Sequence, residues 1–311
     1  MKNMATREAF GAALVTLGKT HPNLFVIDCD IGKSMKTGAF ASTFPNRHIN
    51  VGIAEQNAAG IAAGLAACGK IPIISTYAVF GSMRMLEQIR TSICYPALHV
   101  VLACSHGGLT PSNDGATHQA IEDMGIYRTI PNMSVLMPAD YMSALRLMEK
   151  AVDAQGPVYI RFTRDAFPVY YNENEPFEIG KSKTLKTGHD LTLISCGELL
   201  HEALQAADML GEKGVSVGVV DMHTIKPLDV SCIRECLKLS PNIVTVEDHS
   251  IYNGLGSAVA EVIAHDGYGR LRSVGLKDTF AESGRYSELL EKYSMNAIAI
   301  VKTAEELITH K

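Results

Sequence analysis

The stretch RHINVGIAEQNAAGIAAGLAACGKIPIIST, residues 47–76, decides the fold. RHINVGI (47–53) and KIPIIST (70–76) are short apolar runs that read as strands, and AEQNAAGIAAGLAACG between them reads as a helix of unusually small residues. The same alternation continues outward. Residues 5–20 read as an amphipathic helix, NLFVIDCD (23–30) as a buried strand, 77–93 as a helix and ALHVVLAC (97–104) as a strand. A long Gly/Ser/Asn loop then runs to about Gln119, and strands MSVLMP and GPVYIRFT complete the unit. Short apolar strands separated by helices predict an α/β fold with a doubly wound, mostly parallel sheet covered on both faces. A polar, Pro-containing segment follows, and beyond it DLTLISCG, VSVGVVDMHTI, NIVTVED and LRSVGL alternate with helices as a second, smaller α/β unit. The expected boundaries are 1–168, a linker over 169–187, and 188–311.

At 311 residues the chain suits two domains, since single cores stop growing near ~250 residues. Its 47% hydrophobic and 20% charged residues, with mean hydropathy +0.08, exclude a disordered polymer. The net charge of −5 and pI of about 6.1, with no run of Lys or Arg, argue against a nucleic-acid partner. No membrane is expected either: the Ala/Gly-rich uncharged stretch Asn57 to Gly69 falls short of the roughly 18–20 apolar residues a span requires. Arg7 and Glu8 interrupt the place where a signal peptide would be apolar, and the seven cysteines form no CxxC pair. A cytoplasmic protein with reduced thiols is expected.

Four groups of residues could carry chemistry. Glu55 stands at a strand-to-helix junction, where a carboxylate is favoured by the helix dipole whether or not it does anything else. Tyr77, Phe80 and Met83 are spaced by three, so a shared helical face could be buried core or a platform for a flat heterocycle. CSHGGLTPSNDGATHQ holds His106, Asp114 and His118 in a long loop, and long ordered loops are disproportionately functional. These three residues fit no standard zinc spacing, and hydrogen bonding to a hydroxylated substrate accounts for them as well as a metal does. Arg7, Arg161 and Arg164 could grip phosphate through the guanidinium fork, or be ordinary ion-pair partners. In the smaller unit, Gly254 and Gly256 precede a helix, as an anion site or as a tightly packed turn.

Taken in order, these segments resemble the pyrimidine domain of transketolase followed by that family's small carboxyl-terminal domain, over almost the whole chain. INVGIAEQN with its Ala/Gly helix looks like the family's glutamate motif, and NDGATHQ resembles its DG(P/Q)THQ loop. TREAF before them and GPVYIRFTRD after them are also family-like. The resemblance implies thiamine-diphosphate chemistry with Glu55 and His118 as catalytic residues. Glu55 would share a proton with the pyrimidine ring nitrogen, favouring the tautomer that removes the thiazolium proton, from an apolar site that raises its affinity for that proton. Glu55, Tyr77, Phe80, Met83 and Asp30 would bind the cofactor. Arg7, Ser34, His106, Asp114, His118 and Arg164 would bind substrate, with Arg7, His106 and Arg164 on the acceptor phosphate and Asp114 and His118 on sugar hydroxyls. Met83 departs from the residue usual at its position.

His106, with Gly107 where deoxyxylulose-phosphate synthase would have Arg, implies two-carbon ketol transfer between sugar phosphates. No GDG motif with its downstream Asn occurs, so this chain is expected to hold no metal. Mg2+ or Ca2+ would sit in a partner, an N-terminal transketolase subunit carrying the diphosphate domain, in a dimer of heterodimers. The alternatives are a deoxyxylulose-phosphate-synthase-like subunit, a 2-oxoacid dehydrogenase E1 beta-like subunit, and, in another class, a non-catalytic regulatory module.

Overall fold

VLACS at 101–105, LTLIS at 191–195 and VGVVD at 217–221 are buried at every position, the pattern of strands covered on both faces rather than one. The computed structural model describes residues 2–309. Its strands are β1 (Asn3–Ala5), β2 (Leu24–Asp28), β3 (His48–Asn50), β4 (Ile71–Tyr77), β5 (Val101–Ser105), β6 (Ser134–Leu136), β7 (Val158–Arg161), β8 (Ala166–Pro168), β9 (Lys183–Lys186), β10 (Leu191–Ser195), β11 (Val217–Asp221), β12 (Thr224–Lys226), β13 (Asn242–Ser250) and β14 (Arg270–Leu276).

Seven strands form one sheet in the order β12-β6-β7-β5-β4-β2-β3, parallel apart from β12. Five form a second, β14-β13-β10-β11-β9, parallel apart from β9, and β1 pairs antiparallel with β8. The mixed α/β class with mostly parallel sheets is as the sequence predicts. One buried apolar cluster runs from Phe10, Leu14 and Phe162 into Leu193, Leu210 and Ile300, so the two units share a core.

Three details differ from the sequence reading. The helix expected over 77–93 is broken: Tyr77 ends β4, a short helix spans Ala78–Met83, and the chain then turns through Leu86–Gln88 and a wider turn at Ile89–Cys94. VSVGVVDMHTI is two strands, because after Asp221 the chain crosses over and β12 pairs antiparallel with β6 of the larger sheet. The segment expected as a linker contains β9, which closes the edge of the smaller sheet against β11. Among the described residues no helix is long and apolar enough to cross a membrane.

Candidate active site

The carboxyl ends of parallel strands converge, which is where open α/β sheets place their ligands. β4 ends on Tyr77, β5 leads directly into His106, and β2 leads into Asp30, whose φ of 64° turns the chain sharply away. Asp28 holds this turn by accepting from the Ile31 N–H at 2.9 Å and the Thr37 hydroxyl at 2.6 Å. That geometry delivers Ser34 to the Tyr77 hydroxyl, 3.0 Å away, and to Arg7, which donates from Nη1 to the Ser34 Oγ and carbonyl at 3.2 Å each. Arg7 Nε is buried without a partner, leaving a charged donor beside a cavity of about 490 Å³ that Asp30, Ser34 and Tyr77 also line.

The aromatic residues are not core. Tyr77 and Phe80 are half-buried with ring centroids 6.0 Å apart, and Met83 is 45% exposed. They face the loop instead: His106 stacks 4.1 Å from Tyr77, and His118 meets the edges of Phe80 at 5.4 Å and Tyr77 at 6.1 Å. His106 Nδ1 pairs with Ser105 Oγ at 2.6 Å, and burial, then the charges of Arg7 and Arg164, pushes the imidazole down to about 3. It is therefore a neutral ring at physiological pH. Asp114 accepts from Arg164 at 3.2 Å, and Arg164 also donates to the Pro111 carbonyl at 2.6 Å. Among the described residues no group of three or more His, Cys, Asp or Glu is arranged to hold a metal.

Glu55 opens the helix Glu55–Ala67 and is 2% exposed. Its surroundings are not apolar, contrary to expectation: Arg84 Nη1 donates to both of its carboxylate oxygens, at 3.1 and 2.9 Å. The Arg84 guanidinium also lies 4.4 Å from the Phe80 ring centroid, so it links Glu55 to the aromatic group. Sequence reasoning missed Arg84, although a lone cation directly after Met83, one turn past Phe80, was a usable signal.

Arg161 does not face the cavity. It is 3% exposed and pairs with Asp123 at 3.2 Å and Glu198 at 3.4 Å, because a buried guanidinium requires carboxylate partners. Its stem also explains Gly107, since a Cβ there would sit 2.1 Å from Arg161 Cδ. The glycines of the smaller unit are turn packing rather than an anion site. The N–H groups of Leu255 and Gly256 are already taken by Glu247, at 2.6 and 2.8 Å. Burial pushes that carboxyl up to about 7.

The cluster thus gathers Arg7, Ser34, Tyr77, Phe80, His106, His118, Arg164 and Asp114, with Glu55 attached through Arg84. Asp30 lines the adjoining cavity and accepts from Asn50 at 3.0 Å. Met83 stands at the end of the short helix, open to solvent.

Residues 2–169 match the family model for the transketolase pyrimidine binding domain, and residues 180–300 that for the transketolase C-terminal domain. A Methanocaldococcus jannaschii protein named as a transketolase C-terminal section is 46% identical over 96% of this chain and 95% of its own. A Phocaeicola vulgatus protein, named as one of the subunits of an apulose-4-phosphate transketolase, is 36% identical over 98% of each. A solved structure described as a split gene transketolase, inactive beta4 tetramer, superposes with a TM-score of 0.91 at 44% identity over 99% of both chains. The chain belongs to the transketolase family, in which it corresponds to the pyrimidine-binding and carboxyl-terminal domains.

Proposed function

We propose that this chain is the pyrimidine-binding subunit of a two-subunit transketolase, which moves a two-carbon ketol unit between sugar phosphates with thiamine diphosphate bound at the junction. The observation that carries this reading is a buried carboxylate, Glu55, tied through Arg84 to the half-buried ring of Phe80, which pairs with Tyr77 at the edge of a cavity that Arg7 also lines. An aminopyrimidine needs an acid for its ring nitrogen and a flat surface for its ring, and these residues supply both. Thiamine diphosphate, when bound, supplies the centre that stabilises the transferred carbanion.

The chain's own residues do the rest. Glu55 would offer a carboxyl oxygen to the cofactor's ring nitrogen once Arg84 yields it. Tyr77 and Phe80 orient the ring. Arg7 and Arg164 bind the substrate phosphate, and neutral His106 offers Nε2 to a substrate oxygen while Ser105 occupies Nδ1. Asp114 and His118 reach hydroxyls from the loop, and His118, nearest to Phe80, moves protons at the reacting carbons' oxygens.

A diphosphate-domain subunit, carrying Mg2+ or Ca2+, completes the site in a dimer of heterodimers. Support comes from the open face beside Glu55: Ile53 is 75% exposed, and a Cβ at Gly60 or Gly64 would touch nothing in this chain. Relatives of the same extent are named as a subunit and as a section, and the split-gene neighbour of β chains alone is described as inactive. The test is to purify the chain alone and with a diphosphate-domain subunit, and to offer ketose phosphates and 2-oxo acids as donors. Ketol transfer from ketose phosphates by the pair only is expected. Full activity of the isolated chain, or turnover of 2-oxo acids alone, would defeat the reading.

A further inference from the structure

The loop that carries His106, Asp114 and His118 is built by the larger unit, yet it rests on the smaller one. Leu109 N–H donates to both oxygens of Asp248, at 3.0 and 2.9 Å, and the Gly284 N–H donates to the Ser112 carbonyl at 3.4 Å. Gln119 reaches the Glu282 carbonyl at 3.1 Å, and the Ser250 N–H reaches the Ile121 carbonyl at 2.8 Å. Two glycines allow this approach. A Cβ at Gly108, where φ is +56°, would lie 2.2 Å from Asp248 Cγ, and one at Gly115, where φ is +75°, would lie 2.5 Å from Ser283 Oγ. In both places the loop's backbone is in the left-handed region that glycine tolerates at no steric cost.

Asp248 is fully buried at the end of β13 and accepts from the Tyr286 hydroxyl at 3.1 Å. Burial, and then the charge of the neighbouring Glu198, hold its acid well above the usual carboxylate range. Both carboxyl oxygens accept from the Leu109 N–H, and one of them also accepts from Tyr286. Arg161 ties the assembly to the larger unit, donating to Asp123 at 3.2 Å, Glu198 at 3.4 Å and the Asp248 carbonyl at 3.1 Å.

We infer that Asp248 of the smaller domain is a positioning residue for the substrate loop, acting through Leu109 and the Gly108 contact to set where His106 and His118 stand. The smaller domain is then part of the active-site framework, three residues from His106 by its nearest hydrogen bond, rather than an appendage of assembly. This inference rests on the transketolase reading for its kinetic consequence but not for its structural one.

The experiment compares Asp248→Asn with Asp248→Ala. Asparagine keeps an acceptor for the Leu109 N–H, whereas alanine does not. In the isolated full-length chain, the imidazole NMR signals of His106 and His118, assigned from His106→Asn and His118→Asn, should move in Asp248→Ala and stay in place in Asp248→Asn. In the pair with a diphosphate-domain subunit, Asp248→Ala should raise KM for the phosphorylated acceptor tenfold or more while leaving the affinity for thiamine diphosphate unchanged. Should Asp248→Ala not fold, Gly108→Ala displaces the loop from its own side with Asp248 intact, and the same histidine signals should move. Unmoved signals in the folded variants would overturn the inference. So would equal movement of all histidine signals with both Asp248 substitutions, which marks general loosening. Absence of ketol transfer by the wild-type pair would instead sink the functional reading and leave the histidine result to stand.

Discussion

Arg84 grips both carboxylate oxygens of Glu55 while its guanidinium lies against the Phe80 ring, so the chain carries its own counter-charge at the position assigned to the cofactor's ring nitrogen. Glu55 is buried and Arg84 is half open to solvent, which places the pair between the exposed and the buried regimes. Arg84→Met should therefore destabilise the isolated chain by about 1–3 kcal/mol. In a double-mutant cycle with Glu55→Gln, the second substitution should cost less once the first is made. Urea unfolding of the four proteins measures this, and strictly additive costs would show the two residues to be uncoupled.

Glu55→Gln keeps the shape of the side chain and removes its ability to exchange a proton. In the reconstituted pair it should lower ketol transfer by about 10²- to 10⁴-fold, the usual worth of a positioned acid or base. Gel filtration should show assembly unchanged. Unaffected turnover would favour a non-catalytic module.

Two arginines three positions apart in sequence should respond in opposite ways. Arg161→Met strands Asp123 and Glu198 in the interior and should cost about 3–5 kcal/mol of stability. Arg164→Ala removes a partly exposed group and should change stability by no more than about 1 kcal/mol. It should instead raise KM for a phosphorylated acceptor by about ten- to a hundred-fold, as loss of a charged hydrogen bond does. Thermal melts alongside initial rates separate the two effects.

His106 links stability to pH. Unfolded, its imidazole takes up a proton as pH falls below about 6.5. Folded, it resists down to about 3, chiefly through burial. Between these values the unfolded chain binds more protons, so this contribution to stability is complete above about 6.5 and is lost as pH falls, at up to about 1.4 kcal/mol per pH unit. His106→Asn should flatten the profile between pH 6.5 and 4 in urea titrations. His223, pushed down to about 4 by burial, acts in the same direction and leaves a residual slope. An unchanged profile in the variant would show that His106 titrates normally.

The alternation of strand and helix, the parallel character of the sheets and the family were legible in the amino-acid order, because these depend on local periodicity and on motifs contiguous along the chain. INVGIAEQN placed Glu55 at the start of its helix without any tertiary information. Tertiary structure alone decided what surrounds each of these residues. Arg84 and Glu55 are 29 residues apart, and Leu109 and Asp248 are 139 apart. Neither pairing leaves a trace in periodicity, since a side chain's charge says that it needs a partner and not which one. Arg161 and Arg164 looked alike for the same reason: only the fold shows that the first is buried among carboxylates and the second stands at the site. β12 and the loop's glycines carry the same lesson, because both answer to a neighbouring unit that the local sequence does not contain.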